Sequence, residues 1–306
     1  MLVECVPNVS EGRRPDVLAA IRDQASAAGV RVLGVSADPD HHRAVLTLVG
    51  EGERMLEAAF AVAAEAVRRI DLRHHRGVHP RFGAVDVIPF VPLAGTPMAY
   101  CVELARRLGA RLGAELELPV FLYEQAATRP ERRNLADVRR GQFEGLAARL
   151  AGGDVPDFGP SSPHPSAGAV AVGARGPLVA FNAMLGTADV AIARAVARAV
   201  RASGGGLAGV KALGLALPSR GTVQVSMNLV HPERTTLWRA LELVRREAAR
   251  YGVAVTGTEI VGFVPLGALA AAAREFLQAH GFGPGDVLEQ AYWGAPLTGA
   301  GPDPDA

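Results

Sequence analysis

The sequence predicts an α+β fold built from two ferredoxin-like (βαββαβ) units related by an internal duplication. Two observations carry this. Strand-like and helix-like periodicities follow one another in the order β-α-β-β-α-β over residues 2–91, and the order returns over 178–261. Short stretches also recur at equivalent places. Gly29-Val30-Arg31-Val32-Leu33-Gly34 resembles Gly209-Val210-Lys211-Ala212-Leu213-Gly214, and Phe90-Val91-Pro92-Leu93 returns as Phe263-Val264-Pro265-Leu266, each time ending the last strand of its unit.

In the first unit, Leu2 to Val9 reads as a strand closed by the Ser10-Glu11-Gly12 turn. Val17, Leu18, Ile21, Ala25 and Ala28 then fall on one helix face. Val30–Val35 is rich in β-branched residues and Arg43–Val49 alternates, so both are strands. Met55, Ala59, Val62, Ala66 and Ile70 mark a second amphipathic helix, and Ala84–Val91 is the closing strand. A further helix near Pro97–Leu116 and a strand over Val120–Tyr123 follow. The second unit comprises a strand over Leu178–Leu185, a helix over Asp189–Ala202 and strands over Val210–Leu217 and Thr222–Leu229. Its second helix carries Leu237, Leu241, Val244 and Ala248 on one face, and Val253–Val261 closes it. Between the units, Ala151–Gly168 is rich in Gly, Pro, Asp and Ser and reads as a linker or a functional loop. The tail after Ala291, with Gly299–Ala306 rich in Gly, Pro and Asp, reads as mobile.

Bulk properties narrow the function. With 306 residues the chain suits two domains of ordinary size. A net charge of +1 advertises neither nucleic acid nor an anionic membrane as partner. No apolar run reaches the roughly 20 residues that span a bilayer, and the first residues lack the features of a signal peptide. Cys5 and Cys101 are too few for a disulfide framework and read as buried free thiols of a cytoplasmic protein.

A βαββαβ unit covers one face of its sheet with helices, so two such units can bury their open faces against each other or share a ligand. Along Thr222–Leu229 the odd positions are apolar (Val223, Val225, Met227, Leu229) and the even ones are Thr222, Gln224, Ser226 and Asn228. Neutral hydroxyls and amides on one face suit a heterocycle with several donors and acceptors, or a face that touches water. Asn182 and Asp86 are further polar intrusions into apolar strands.

The densest chemistry lies in Asp71-Leu72-Arg73-His74-His75-Arg76-Gly77-Val78-His79-Pro80-Arg81-Phe82-Gly83, which joins a helix to a strand. Pro80 holds His79 extended, a histidine is the natural base near neutral pH, and Arg81 offers a bidentate carboxylate clamp. Asp38, Asp40, His41, His42, His74, His75 and His79 could also offer metal ligands. Their spacing fits no standard zinc motif, so no metal is expected.

These residues resemble a known family. Val3-Glu4-Cys5-Val6-Pro7-Asn8-Val9-Ser10-Glu11-Gly12, Gly77-Val78-His79-Pro80-Arg81-Phe82-Gly83-Ala84-Val85-Asp86-Val87, Asn134-Leu135-Ala136 and Asp157-Phe158-Gly159-Pro160-Ser161 are similar to glutamate formimidoyltransferases. So are Gly173-Ala174-Arg175, Ala180-Phe181-Asn182 and Gln224-Val225-Ser226-Met227-Asn228-Leu229. The resemblance implies two ferredoxin-like subdomains, here 1–168 and 169–306, with a folate tunnel between them in a homodimer. It implies transfer of a formimidoyl group between N-formimidoyl-L-glutamate and tetrahydrofolate as co-substrate, with His79 as general acid and base. It places folate on the stretch Gly159, Pro160, Ser161, Ser162, Pro163, His164, Pro165, Ser166, Ala167 and Gly168. Arg81 or Arg175 would hold the glutamate carboxylates, and Asn182, Gln224 and Asn228 would contribute to substrate binding. The family's larger members add a cyclodeaminase domain that this chain ends without. Two positions depart from the pattern: Val78 stands where the family usually has Glu, and His42 where it commonly has Asn. The alternatives are a 5-formyltetrahydrofolate–glutamate formyltransferase on the same scaffold and a non-catalytic folate-binding protein.

Overall fold

The computed structural model describes residues 1–93 and 95–294. Its first elements are β1 (Leu2–Cys5), β2 (Asn8–Val9), α1 (Pro15–Ala27), β3 (Arg31–Asp38), β4 (Arg43–Glu51), α2 (Gly52–Arg69), β5 (Val85–Pro92), α3 (Met98–Glu115), β6 (Val120–Glu124), α4 (Leu135–Val138), α5 (Gln142–Ala151) and β7 (Val170–Ala174). Then come β8 (Val179–Leu185), α6 (Val190–Val200), β9 (Val210–Leu217), β10 (Thr222–Leu229), α7 (Leu237–Ala249), β11 (Val255–Val261), α8 (Leu266–Leu277) and α9 (Leu288–Gly294). From residue 295 onward the expected mobile tail lies outside the described residues.

The strands form a mixed seven-stranded sheet and an antiparallel four-stranded one. In the first, β3 borders β4, which pairs with both β1 and β2. These two in turn border β5, and β7 and β6 extend the sheet in parallel. The single strand expected over Leu2–Val9 is thus broken at Val6-Pro7. Pro7 has no N–H for the ladder, although its carbonyl accepts from Leu46. The second sheet runs β11-β8-β10-β9. β7 lies beyond the boundary expected at 168/169, yet it is hydrogen-bonded between β5 and β6, so the chain changes sheet between Ala174 and Val179. Its residues are all buried, which removes the alternation that would reveal a strand.

Each sheet buries one face under helices. Val3, Cys5, Leu46, Leu48, Ile88 and Phe90 pack with residues of α1, α2 and α3 such as Ile21, Met55, Val62 and Leu104. Phe181, Ala183, Val223, Val225 and Met227 pack with Val196, Ala197, Ala240 and Val244 of α6 and α7. Because successive side chains point to opposite faces, the residues between these reach the other side: Glu4, Arg43, Val45, Thr47, Val87 and Pro89 in the first sheet, and Ala180, Asn182, Ser226 and Asn228 in the second. Near β6 and β7 a third core, with Phe82, Phe121, Tyr123, Val138, Leu146 and Leu150, is closed by α4 and α5.

The loop that carries His79 is fastened to the segment before β7. Ala84 N donates to Ala167 O, Ala169 N to Phe82 O, and Leu72 N to Ser166 O, each within 3.1 Å. Gly168 makes this possible with a φ of +72°, and a Cβ there would stand 2.1 Å from Phe82 O. Gly168→Ala therefore meets a backbone clash in a left-handed conformation. We expect it to cost about 2 kcal/mol or more, read as a drop of several degrees in Tm; an unchanged Tm would contradict the packing described.

Candidate active site

The uncovered faces of the two sheets enclose a cleft of about 190 Å³. From the first sheet and its loops come Glu4, Asn8, Asp38, His41, Arg43, His79, Tyr123 and Arg175. Leu135 and Arg139 come from α4 and its C-terminal end. Asn182, Ser226, Asn228, Glu259 and Phe263 face them from the second sheet and the turn after β11. The polar row read on β10 therefore faces a cavity between sheets, with Ser226 and Asn228 on the wall. Gln224 extends the row and hydrogen-bonds His41 Nε2 at 2.7 Å.

At the base of the cleft lies a buried cluster around Asp86. One carboxylate oxygen accepts from Phe82 N at 2.9 Å; the other accepts from Arg43 Nη1 at 3.2 Å and from Arg139 Nη2. Arg43 also donates from Nε to Asn8 Oδ1 at 3.0 Å, so its fork is locked. Next to it, His79 Nδ1 stands 2.8 Å from Pro80 O. A carbonyl only accepts, so this contact selects the neutral tautomer with its proton on Nδ1 and leaves the lone pair on Nε2. Arg43 Nη1 lies 3.0 Å from the same Nδ1 and, as a guanidinium, can only donate, so it competes with Pro80 O for this nitrogen. The tautomer assigned follows the shorter Pro80 contact, Arg43 Nη1 having the Asp86 carboxylate as its acceptor. Burial, then Arg43 and Arg139, hold His79 well below the usual histidine range, so the ring is neutral at pH 7 with one nitrogen bare, while the same forces make it a weaker base than a free imidazole.

The β3–β4 turn is held from several sides. Asp38 Oδ1 accepts the Asp40 and His41 N–H groups, each at 2.8 Å, and Val78 N donates to Asp40 O at 3.0 Å. Val78 thus serves through its backbone while its side chain is exposed. His42 has a φ of +52°, a conformation that Asn and His tolerate better than most residues. Its ring stacks on His75 with centroids 4.2 Å apart. His75 donates from Nε2 to His42 O at 2.7 Å and accepts at Nδ1 from Arg81 Nε at 3.1 Å. Burial brings His75 down to about 4, which keeps this tautomer neutral.

The structure brings together His79, Arg175, Asn182 and Asn228, with Gln224 adjoining through His41. Two expectations from the sequence lie elsewhere. Arg81 is buried outside the cleft wall, with Nη1 and Nη2 each 2.7 Å from the Glu144 carboxylate and Nε on His75, so its fork is occupied. Residues Gly159 to Gly168 do not line the cleft either. His164 Nδ1 accepts the Ser166 and Ala167 N–H groups, and the segment braces the backbone beneath the His79 loop. Asp38, Asp40 and the histidines do not gather into a metal-ligating group among the described residues.

Sequence reasoning missed Arg43, Arg139, Glu259 and the placement of His41. Arg43 had a signal, being the cation that opens an alternating strand on the face shared by Val45 and Thr47. Arg139 had none, since its position follows from the short helix α4.

The chain belongs to the formiminotransferase family. Residues 2–175 match the formiminotransferase domain, N-terminal subdomain, and residues 180–283 match the formiminotransferase domain. Among individual relatives, a glutamate formimidoyltransferase of Thermoplasma acidophilum is 49% identical over 293 residues, covering 94% of this chain and 96% of its own. One from Streptococcus pyogenes is 47% identical over 283 residues, covering 92% and 95%. The formimidoyltransferase-cyclodeaminase of Rattus norvegicus is 43% identical over 281 residues, 89% of this chain but 52% of the rat protein.

Glu11 supports the site from beneath. Burial opposes its ionisation, but the His42 ring, the Arg13 and Arg14 backbone N–H groups and the Arg14 guanidinium outweigh this and bring its carboxyl down to about 2. Folding lowers this pKa from an ordinary 4.5, so the stabilisation is complete above pH 4.5 and is lost as the pH falls towards 2. Glu11→Gln should lose roughly 2 kcal/mol at pH 7 and flatten the acid limb of the stability curve. Urea titrations at pH 7, 4 and 3 measure both; parallel curves for wild type and variant would refute this role.

Proposed function

We propose that this protein is a glutamate formimidoyltransferase, moving the formimidoyl group between N-formimidoyl-L-glutamate and tetrahydrofolate. The observation that carries this reading is His79, neutral and with Nε2 unpaired among the described residues, at the base of a cleft walled by charged side chains of both signs on one side and by amides, a hydroxyl and Glu259 on the other. The names of the two prokaryotic relatives, matched over nearly their whole length, support it.

In this reading the two sheets are ferredoxin-like subdomains from one duplication, and the cleft is the ligand tunnel between them. Support comes from their equivalent strand orders, β5-β1/β2-β4-β3 and β11-β8-β10-β9. Tetrahydrofolate is the co-substrate, its pterin matched by Asn182, Ser226 and Asn228. Arg175 forms no salt bridge among the described residues and faces the cleft, so it is the better clamp for a glutamate carboxylate than Arg81. A homodimer is supported by apolar side chains exposed at Leu269, Phe276, Leu277 and Leu288. The free thiols Cys5 and Cys101 fit the cytoplasm.

The chemistry follows from the geometry. N5 of tetrahydrofolate attacks the amidine-like carbon, and His79 Nε2 takes the N5 proton as the tetrahedral adduct forms. The glutamate amine then leaves with a proton. The cleft removes much of the entropic barrier by holding both reactants.

In a spectrophotometric assay with both substrates, we expect wild-type turnover and a fall in kcat of about 100-fold or more for His79→Ala, with tetrahydrofolate still bound. Turnover only with N-formylglutamate would favour the formyl reading, and binding without turnover a non-catalytic role. The two arginines should also separate. Arg175→Gln should raise KM for N-formimidoylglutamate about tenfold or more. Arg81→Gln should instead lower Tm and leave that KM nearly unchanged; a reversed pattern would put the clamp at Arg81.

A further inference from the structure

Resting on the reading above, the geometry points to His41 as a second proton-transfer group: we propose that His79 Nε2 takes the proton from the attacking nitrogen while His41 Nδ1 delivers one to the departing glutamate nitrogen. The His41 and His79 rings both face the cleft, with centroids 5.5 Å apart and planes inclined by 38°. Rings this close can each address one of the two nitrogens on a single tetrahedral carbon seated between them.

Three features equip His41 for this. The first is its mooring. The Asp38 carboxylate accepts its backbone N–H, the left-handed His42 follows it, and Gln224 of the opposite sheet holds Nε2 at 2.7 Å. Nδ1 makes no hydrogen bond among the described residues. Second, the mooring group is an amide. Its nitrogen donates to the bare Nε2 of a neutral ring, and a half-turn presents its oxygen to the N–H of an imidazolium, so one side chain serves both protonation states. The third is charge. Burial lowers both rings below the ordinary histidine range. At His41 the carboxylates of Asp38, Glu259 and Asp40 oppose that pull, with Arg43 against them. At His79 the guanidinium groups of Arg43 and Arg139 reinforce it, and His41 adds to them. Neighbouring groups pushed apart in this way divide into acid and base, with His41 the ring that keeps a proton longer.

The step balances. N5 bonds to the amidinium carbon and its proton passes to His79 Nε2, leaving a neutral tetrahedral adduct. His41 gives its Nδ1 proton to the glutamate nitrogen as the C–N bond breaks. The lone pair of the remaining amino group then restores the amidinium, now on N5. His79 ends protonated and His41 neutral, and one proton returned from the first ring to the second resets the pair.

The test is the single-turnover rate against pH for wild type, His41→Gln and His41→Ala, with N-formimidoylglutamate and tetrahydrofolate. We expect the rate to fall about 100-fold in both variants, with tetrahydrofolate affinity close to wild type and a lower Tm in His41→Ala, which leaves the buried Gln224 amide unpaired. The alkaline limb, where His41 loses its proton, should vanish, and added imidazole should restore part of the rate in His41→Ala. Gln224→Leu, which frees the ring but leaves it in place, should lie between. An unchanged limb with no imidazole rescue overturns the role of His41 while leaving the transferase standing. A wild type inactive with this substrate pair overturns both.

Discussion

Asp86 ties three separate parts of the chain together through one buried carboxylate. Arg43 reaches it from the start of β4, Arg139 from the end of α4, and Phe82 N from the loop that carries His79. Two guanidinium groups brought this close repel each other unless an anion stands between them, and a buried anion is costly unless it is paired and fully hydrogen-bonded. Each member therefore makes the others tolerable. Burial first, and then the positive charge that the cluster keeps beside His79, hold the imidazole neutral. It also fixes the Pro80–Phe82 backbone, whose carbonyl at Pro80 selects the tautomer.

The cleft follows from strand periodicity. Where a helix covers a sheet, alternate residues are aliphatic; the residues between them have no helix to meet and stand opposite the other sheet. On the first sheet these carry charge, as Glu4, Arg43 and the nearby Arg175, while on the second they are amides and a hydroxyl with one carboxylate, Glu259. Such a lining cannot collapse without leaving polar groups unpaired, so the gap persists in a tightly packed molecule. At one end the third core takes over, where α4 and α5 seal the face and α4 carries Arg139 to the Asp86 cluster at the base of the cleft.

Much of this was legible in the sequence, in proportion to how local the cause was. The alternation of Thr222–Leu229 is a property of eight consecutive residues, and the structure reproduces its two faces. The structure puts the loop between α2 and β5 on the cleft, and the position of His79 on that loop was legible. Arg81 was not, because its fate depends on Glu144, on a helix with no strong pattern. The stretch from Gly159 to Gly168 read as a ligand loop by resemblance; its backbone bonds to Leu72 and Ala84, which set where it lies, join residues far apart in sequence and had no local signal. β7 escaped notice because a strand buried on both faces shows no alternation.

The β3–β4 turn joins the two halves of the site. Ser219 binds Asp40 and Gln224 binds His41, so the second sheet grips the turn from one side. From the other side Val78 and Arg76 meet Asp40 and His42 through backbone atoms on the His79 loop. A turn held this way cannot shift without disturbing both walls. Any ligand that draws the sheets together must move His41 and His79 as a pair, and the 5.5 Å between their rings is therefore better determined than the distance from either ring to the remote parts of the cleft. A fixed spacing between the two rings, with hydrogen-bonding side chains farther out, is the arrangement that the proposed transfer of a small group between two larger molecules would require.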